Sequence, residues 1–241
     1  MQAVILAAGR GQRLAPLTDH LPKCLVPIGD RPLLDYQIDA LKKWGVDKIC
    51  VVAGSHKDKV EEFLKIKNNV RLVENPEFRT TNIIVSFWYA LGALDLSDDF
   101  LVMAGDLIFE DSIVRDLKEA SKGELTLCIA KKSCGEEEVK VRIEGGQVIQ
   151  LGKKLDPQTS FGEFLGVFKA SRSVMGEIKE IVDQMVSSKE VQSYLFDLIN
   201  RFIHKKKKVT AFEIRNAFWE DIDFLEDIQR VERWFTLRNM V

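Results

Sequence analysis

Short apolar runs alternate with amphipathic stretches along the first half of the chain. The runs at 3–6, 48–53 and 70–73 have the length and composition of buried strands. Between them, residues 33–44 and the stretch around Phe63 carry apolar side chains at helical spacing. Strands that alternate with helices in this way predict βαβ units around a mainly parallel sheet flanked by helices. The sequence therefore predicts an α/β fold.

The pattern changes after residue 130. Alternating apolar and polar residues at 139–144 and 147–151 flank Gly145-Gly146, which predicts a hairpin with a two-residue turn. This hairpin would be a small antiparallel insertion in a Rossmann-like, mainly parallel sheet. The other predicted elements are, in chain order, a helix that begins near Asn82, a strand over 99–106, a helix over 111–120, a strand over 125–130, helices over 171–188 and 191–203, a strand over 209–214 and a helix over 224–237.

Composition is typical of soluble globular proteins and narrows the range of partners. The 241 residues are 46% hydrophobic and 30% charged, and no window holds the roughly 18 apolar residues of a membrane span. A formal net charge of -2 provides no overall basic field for nucleic acid. The cysteines lack metal-binding spacing, and the N-terminus lacks an apolar leader. We therefore expect a single cytoplasmic domain over residues 1–241 with no nucleic-acid or membrane partner, and the oligomeric state stays open.

The first apolar run breaks abruptly into a glycine-rich, basic loop. Gly9 and Gly11 allow backbone N–H groups to approach an anion closely, and Arg13 and Lys23 can neutralise the charge of a triphosphate. Two familiar phosphate-binding loops do not match. A dinucleotide fingerprint requires glycine where Leu14 stands, and a Walker A loop requires glycine before its lysine and Ser or Thr after it.

The loop resembles the signature of the nucleotidyltransferase family that makes nucleoside-diphosphate sugars and alcohols. That signature reads L-A-A-G-x-G-x-R-L-x-P-L-T and, after a short gap, P-K-x-L-x-P. The matching positions are Leu6, Ala7, Ala8, Gly9, Gly11, Arg13, Leu14, Pro16, Leu17, Thr18, Pro22, Lys23, Leu25 and Pro27. The resemblance implies the nucleotide-diphospho-sugar transferase fold and catalytic roles for Arg13 and Lys23 at the triphosphate. It also implies nucleotide binding by Leu6, Ala7, Ala8, Gly9 and Gly11.

Two carboxylates are candidates for a metal site. Asp106 ends a predicted strand, and ligands in open α/β sheets gather at the carboxyl ends of strands, so Asp106 should lie beside the glycine loop. Carboxylate oxygens suit Mg²⁺. Resemblance to the family's Gly-Asp element and to its late W-x-E-I-D element implies that Asp106 and Asp223 bind the metal. Asp221 occupies a position where the family often has Glu, so the choice between Asp221 and Asp223 stays partly open, and either site Asp could instead act as a turn or helix-end residue.

The start of the helix near Asn82 bears on base recognition. Residues 81–86 read Thr-Asn-Ile-Ile-Val-Ser, which looks like the short cytidylyltransferases that act on phosphocholine, aminoethylphosphonate or inositol 1-phosphate. Asn82 and Ser86 are one helical turn apart, so both could present polar groups to a base. The alternative is that Asn82 only caps the helix and Ser86 only packs.

The acceptor is predicted to bind beside the hairpin. In the resembled cytidylyltransferases, a lysine at the place of Lys153 meets the acceptor phosphate, and a Gly-Glu at the place of Gly162-Glu163 lies in the pocket. An ammonium suits an anion, and a carboxylate suits hydroxyls or an amine. The alternative for Lys153 is a solvated basic surface.

The resemblance implies an enzyme that uses CTP, Mg²⁺ and a small phosphorylated or phosphonylated alcohol to form a CDP-linked product and pyrophosphate. Residues 1–130 would form a nucleotide-binding half, 131–223 an acceptor-binding half and 224–241 a C-terminal helix. Three rival functions are considered. A sugar-1-phosphate uridylyl- or thymidylyltransferase is disfavoured by Thr81-Asn82 in place of the expected small-residue element, and the intact Arg13, Lys23, Asp106 and Asp223 argue against a non-catalytic nucleotide-sensing module. A phosphate-loop binding protein or NTPase is excluded mainly by the missing Gly-Lys-Ser/Thr.

Overall fold

The computed structural model describes residues 1–120 and 123–238. Its strands are β1 Gln2–Ala7, β2 Pro27–Ile28, β3 Arg31–Pro32, β4 Lys48–Ala53, β5 Val70–Glu74, β6 Phe100–Ala104, β7 Leu107–Phe109, β8 Leu125–Ala130, β9 Lys140–Glu144, β10 Gln147–Gly152, β11 Gly162–Ala170, β12 Val209–Glu213 and β13 Trp219–Asp221. Its α-helices are α1 Leu33–Lys43, α2 Lys57–Leu64, α3 Ile83–Leu91, α4 Ser112–Glu119, α5 Met175–Ser187, α6 Leu195–His204 and α7 Leu225–Arg238.

The central sheet confirms the predicted α/β fold. Its strands follow the order β10-β9-β11-β6-β1-β4-β5, and β8 lies between β11 and β12. The four strands β5, β4, β1 and β6 are parallel to one another. Strand β11, which the sequence pattern leaves unassigned, is antiparallel to β6, β8 and β9. It thereby joins the parallel part of the sheet to the antiparallel hairpin.

The uninterrupted apolar pattern of β1 follows from its place at the centre of the sheet. Val4 and Leu6 face the side that is covered by α3, α5 and α6, whereas Ile5 faces the side that is covered by α1, α2 and α4. Val4 and Ile5 are fully buried. A strand covered on both faces needs apolar residues at every position, whereas a half-exposed strand alternates.

A third apolar cluster joins the glycine-rich loop to the last helix. Buried side chains from the loop and the β2–β3 region pack against residues that flank or belong to α7. The buried members of this cluster are Leu14, Val26, Ile28, Leu33, Ile108, Ile222, Ile228 and Val231. This packing brings together the two ends of the described chain, and with them the basic loop and the late acidic element.

Local structure mostly follows the predicted boundaries, with one clear exception. Gly145 and Gly146 have φ values of 56° and 77°, as a two-residue hairpin turn requires, so the predicted turn is confirmed. The prediction of a helix from residue 191 is wrong, because α6 begins at Leu195. The carbonyls of Val191 and Ser193 instead accept hydrogen bonds from the first residues of α3 and its cap.

Among residues 1–120 and 123–238, no helix combines the length and the apolar character that crossing a membrane would need.

Candidate active site

The loop after β1 is closely packed around its second glycine. Gly11 has a φ of 62°, and a Cβ atom there would lie 2.8 Å from Cβ of Lys23. The Thr18 hydroxyl donates a hydrogen bond of 2.7 Å to the Gly11 carbonyl. Glycine is therefore required for both the backbone conformation and the close approach of Lys23. Gly11 supports the loop and does not line either cavity described below.

Lys23 lies between the two predicted metal-binding carboxylates. Its Nζ atom is 2.8 Å from Oδ2 of Asp106 and 2.6 Å from Oδ1 of Asp223. Burial alone would lower the pKa of Lys23, but the two carboxylates outweigh it and raise that pKa. The ammonium therefore stays charged and holds the two acids together.

Arg13 binds the other oxygen of Asp223. Its Nη2 atom is 2.7 Å from Oδ2 of that residue, and its guanidinium group lies over the Phe224 ring. Burial disfavours the ionised form of Asp223, but Lys23 and Arg13 outweigh this effect and lower its pKa. Arg13 is more than half exposed, with 56% of its side-chain surface accessible, so it can turn toward a ligand.

Pairing between two short strands that are far apart in the chain brings the two carboxylates together. Strand β13 pairs with β7, so that Asp221 lies opposite Leu107. Just beyond this pair, the Ile222 N–H donates a hydrogen bond of 2.9 Å to the Asp106 carbonyl. The backbone that carries Asp223 is therefore attached directly to the backbone that carries Asp106.

A buried aspartate at the start of α7 also holds this backbone. Oδ2 of Asp227 accepts hydrogen bonds from the backbone N–H groups of Asp223 and Phe224, at 2.7 and 2.6 Å. The sequence analysis did not identify Asp227. An acidic residue in the first turn of a helix was the available signal.

Asp221 lies near Asp106 and Asp223 but forms no ion pair with Lys23. Burial raises the pKa of Asp221 well above its usual range, and the negative charges of Asp106 and Glu163 act in the same direction. Among the described residues, the structure thus places Asp223 with Lys23 and gives Asp221 a different environment.

The acidic pair has the chemistry of a magnesium site. Mg²⁺ commonly binds through one or two carboxylates together with substrate phosphates and water. Asp106 and Asp223 present hard oxygen donors around one shared position, where Lys23 supplies positive charge. In the part of the chain that the structure describes, no group of three or more His, Cys, Asp and Glu residues could form an all-protein metal site. The residues therefore fit a metal that is bound jointly with a substrate.

A first cavity, the nucleotide cavity, lies at the carboxyl ends of β1 and β6. Its volume is about 300 Å³. It is lined by Leu6, Ala7, Ala8, Gly9, Lys23, Cys24, Asn75, Phe78, Thr81, Asn82, Ile83, Ser86, Ala104, Gly105, Asp106 and Tyr194. Apart from Gly11, all the residues predicted to bind nucleotide line this cavity.

Asn82 and Ser86 both line the nucleotide cavity, and each also has a structural role. Oδ1 of Asn82 accepts a hydrogen bond of 2.7 Å from the N–H of Ile83, which caps α3. Ser86 is buried, and its hydroxyl accepts a hydrogen bond of 3.0 Å from Nδ2 of Asn75. Asn75 was not predicted as a site residue, although its position directly after β5 was a usable signal.

A second cavity, the acceptor cavity, adjoins the first. Its volume is about 660 Å³, and both cavities are lined by Ile83, Ala104, Asp106 and Tyr194. The remaining lining residues are Arg13, Lys132, Glu137, Glu138, Val139, Lys153, Glu163, Phe164, Leu165, Gly166, Leu195, Phe196, Trp219, Glu220, Asp221, Asp223 and Phe224. The two cavities thus meet at Asp106, and Asp223 lines the second cavity beside it.

Charged side chains of the acceptor cavity are paired with one another. Nζ of Lys153 lies 3.1 Å from Glu137, and Nζ of Lys132 lies 2.9 Å from Glu163. Burial raises the pKa of Glu163, although the adjacent Lys132 acts in the opposite direction. Lys132 was not predicted as a site residue, because two adjacent lysines after a strand carry no distinctive sequence pattern.

Gly162 does not line the acceptor cavity, in contrast to the prediction. It lies in β11 opposite Val141, where a Cβ atom would be 2.1 Å from the carbonyl oxygen of Ala130. No side chain fits at that distance. Gly162 therefore permits close packing of β11, and its neighbour Glu163 supplies the cavity side chain.

Comparison with known proteins identifies the family. The family model described as the MobA-like NTP transferase domain matches residues 3–186. The chain belongs to this family. The matched region includes the glycine-rich loop, Asp106 and the acceptor-cavity residues up to β11. The predicted resemblance and the prediction of a nucleotidyltransferase enzyme are confirmed.

Individual relatives extend the similarity over nearly the whole chain. A CTP:phosphoglutamine cytidylyltransferase of Campylobacter jejuni is 29% identical and covers 95% of this chain and 98% of its own. A choline-phosphate cytidylyltransferase of Streptococcus pneumoniae is 27% identical, with coverage of 96% and 97%. The bifunctional protein GlmU of Methanocaldococcus jannaschii is 30% identical, but the match covers 97% of this chain and only 54% of that protein. The chain spans about half the length of that relative.

A solved structure supports the fold. The inositol-1-phosphate CTP transferase from T. maritima superposes with a TM-score of 0.81 at 23% sequence identity, covering 96% of this chain and 94% of that structure. The predicted fold of the nucleotide-diphospho-sugar transferase type is confirmed.

Proposed function

We propose that the protein is a cytidylyltransferase that joins CMP from CTP to a small phosphorylated or phosphonylated acceptor and releases pyrophosphate. The observation that carries this proposal is the junction of two cavities at Asp106, with Lys23 and Asp223 beside it. A nucleotide in the first cavity and an anionic acceptor in the second would meet at this junction. The full-length cytidylyltransferase relatives support CTP as the nucleotide.

The proposed reaction needs no protein nucleophile. An acceptor phosphate or phosphonate oxygen forms a bond to the α-phosphorus of CTP, the bond from that phosphorus to the β-phosphate oxygen breaks, and pyrophosphate leaves with the electron pair. Two anions must be brought together, so the protein contributes mainly charge neutralisation and positioning. Lys23 and Arg13 form ion pairs with the carboxylates at the junction, and we assign to them binding of the triphosphate and stabilisation of the departing pyrophosphate.

Asp106 and Asp223 are the residues that would hold Mg²⁺. A bound Mg²⁺ supplies charge neutralisation on phosphate oxygens and orients them. Lys23 bridges these carboxylates at 2.8 and 2.6 Å, so its ammonium would add positive charge beside phosphates bound at this position.

The acceptor side rests on Lys153 and Glu163, to which the structure adds Lys132. The two lysines supply positive charge for the acceptor phosphate. In the structure these two lysines form ion pairs with Glu137 and Glu163. Glu163 would contact a hydroxyl or amine of the acceptor, since its pKa is raised by burial and it can accept or donate a hydrogen bond there.

On the nucleotide side, backbone groups of Ala8 and Gly9 with Asn82 and Ser86 would contact the base. A Cβ atom at Gly9 would meet nothing within 4 Å, so the loop leaves open space next to the cavity. The Oδ1 atom of Asn82 accepts the hydrogen bond that caps α3, so we assign its Nδ2 amino group, a hydrogen-bond donor, to the base.

The test is pyrophosphate release with purified protein, Mg²⁺, each of CTP, UTP, dTTP, ATP and GTP, and a panel of acceptors. The panel contains phosphocholine, 2-aminoethylphosphonate, phosphoglutamine, inositol 1-phosphate and glucose 1-phosphate. We expect release with CTP and at least one of the first four acceptors. Release only with UTP or dTTP and the sugar phosphate would establish the sugar-nucleotide alternative, and silence with all pairs would support a nucleotide-sensing module. The D106N variant, whose activity is expected to be strongly reduced at the same Mg²⁺ concentration, controls for contaminating enzymes.

A further inference from the structure

A lysine is almost completely buried beside the acceptor cavity. Lys140, the first residue of β9, has only 1% of its surface exposed. In the alternating pattern of the hairpin it occupies a position that would face solvent, and its neighbour Val141 is fully buried as well. Burying an ammonium group is unfavourable unless its donors form hydrogen bonds. The hydrogen bonds of Lys140 therefore indicate which parts of the structure it stabilises.

The Lys140 ammonium connects two segments of the cavity wall. Nζ donates a hydrogen bond of 2.6 Å to the backbone carbonyl of Lys153 and one of 3.3 Å to that of Glu138. Lys153 and Glu138 both line the acceptor cavity, but Lys140 itself does not. Because these bonds go to backbone atoms, they hold the chain and leave the side chains of Lys153 and Glu138 facing the cavity.

Lys140 is also the cross-strand neighbour of the buried cavity carboxylate. In the pairing of β9 with β11, Lys140 lies opposite Glu163. Side chains that face each other across adjacent strands point to the same side of the sheet. A single buried cation thus lies next to three elements of the acceptor cavity: the segment before β9, the end of β10 and the start of β11.

We propose that Lys140 is a positioning residue for the acceptor, which holds the backbone of Lys153 and Glu138 so that their side chains, with that of Glu163, keep the geometry of the acceptor cavity. The inference rests on the proposed function in assigning this cavity to the acceptor. It predicts that loss of the ammonium affects the acceptor and spares CTP, since Lys140 does not line the nucleotide cavity and donates its hydrogen bonds to Glu138 and Lys153, which do not line it either.

The matched control is Lys169 in β11. It is also buried, with 7% exposure, and it also donates a hydrogen bond to a backbone carbonyl, that of Lys118, at 2.7 Å. Lys169 lines neither the nucleotide cavity nor the acceptor cavity. The K140M and K169M variants therefore remove comparable buried ammonium groups at different distances from the proposed acceptor.

The experiment compares steady-state kinetics of wild type, K140M and K169M with CTP and whichever panel acceptor gives the highest wild-type turnover. We expect K140M to lower kcat/KM for the acceptor about 100-fold, a loss typical of small displacements of positioning groups. The KM for CTP should stay within about twofold, and K169M should change neither parameter by more than that. Thermal denaturation checks that both variants are folded.

Several results would overturn the inference. The first is an unchanged kcat/KM for the acceptor in folded K140M. The second is a KM for CTP that rises in K140M by much more than twofold. The third is a decrease of the acceptor kcat/KM in K169M equal to that in K140M. If K140M does not fold, K140Q keeps an N–H donor on a shorter side chain and is expected to show the same acceptor-selective loss. A wild type that releases no pyrophosphate with any pair refutes the proposed function, whereas an active wild type with a normal K140M refutes only this inference.

Discussion

Nζ of Lys23 lies 2.8 Å from Oδ2 of Asp106, although 83 residues separate them in the chain, and the same Nζ lies 2.6 Å from Asp223. One ammonium group therefore lies between two carboxylates that would otherwise repel each other at the junction of the two cavities. Lys23 has only 12% of its side chain exposed, whereas Asp106 and Asp223 are 35% and 32% exposed, so solvent and salt screen these ion pairs in part. The arrangement connects a glycine-loop lysine to both predicted metal ligands and leads to the first two predictions.

Replacement of Lys23 by Met should separate its two roles. Loss of the cation at the triphosphate is expected to lower kcat roughly 10²- to 10³-fold, as does removal of a single preorganised charge-stabilising group in other enzymes. In the absence of nucleotide, Mn²⁺ should bind more tightly to K23M than to wild type, because no ammonium competes for the carboxylates. Pyrophosphate release and Mn²⁺ titration by electron paramagnetic resonance measure the two effects.

The control for K23M is K43M. Lys43 is also paired with an aspartate, Asp111 at 2.9 Å, but its side chain is 61% exposed and lines neither cavity. K43M should keep normal turnover and Mn²⁺ affinity. Near-normal turnover in K23M would contradict the role assigned to Lys23.

Removal of either carboxylate of the proposed metal site should weaken metal binding more than it weakens the fold. D106N and D223N keep the shape of the side chain but lose its charge, so each should raise the Mg²⁺ concentration for half-maximal activity by at least about tenfold. D183N is the control, because Asp183 pairs with Lys179 and Trp88 outside both cavities. Unchanged Mg²⁺ dependence in D106N would remove Asp106 from the proposed metal site.

Glu163 should make stability depend on pH. Burial raises the pKa of Glu163 above its ordinary value of about 4.5, so the folded state binds the proton more tightly than the unfolded state. The contribution of Glu163 to stability is thus greatest below that ordinary pKa and is lost as pH rises through the folded-state pKa. The Tm of E163Q minus the Tm of wild type should therefore increase from pH 4 to pH 7, because only wild type loses this contribution. A constant difference would contradict a raised pKa.

Gly162 should matter for stability even though it does not line the cavity. Alanine at this position would place Cβ 2.1 Å from the Ala130 carbonyl, so β11 or β8 must shift, at a cost of roughly 1–3 kcal/mol or more. The control is G176A in α5, where a Cβ atom would meet nothing within 4 Å. That variant should be neutral or more stable, because alanine favours helix over glycine. Urea denaturation measures both, and equal stabilities would refute the packing role of Gly162.

The sequence by itself determined the reaction class and most of the nucleotide side. The glycine-rich loop, the apolar run of β1 and the strand that ends at Asp106 are local patterns, and each depends on residues that are neighbours in the chain. In a parallel sheet the carboxyl ends of the strands lie at one edge. The prediction of a parallel sheet therefore already implied that Asp106 lies beside the loop that contains Gly9. The nucleotide cavity is accordingly lined by most of the residues predicted for it.

Only the tertiary structure decided the parts that depend on register between distant segments. The pairing of β13 with β7 places Asp223 beside Lys23, whereas the sequence favoured Asp223 over Asp221 only by resemblance and left the choice partly open. Burial of Lys140 and the packing role of Gly162 arise in the same way, because each depends on which strand lies opposite. A hydrophobic pattern reports whether a side chain is buried on average, but it does not report which backbone carbonyl a buried lysine reaches.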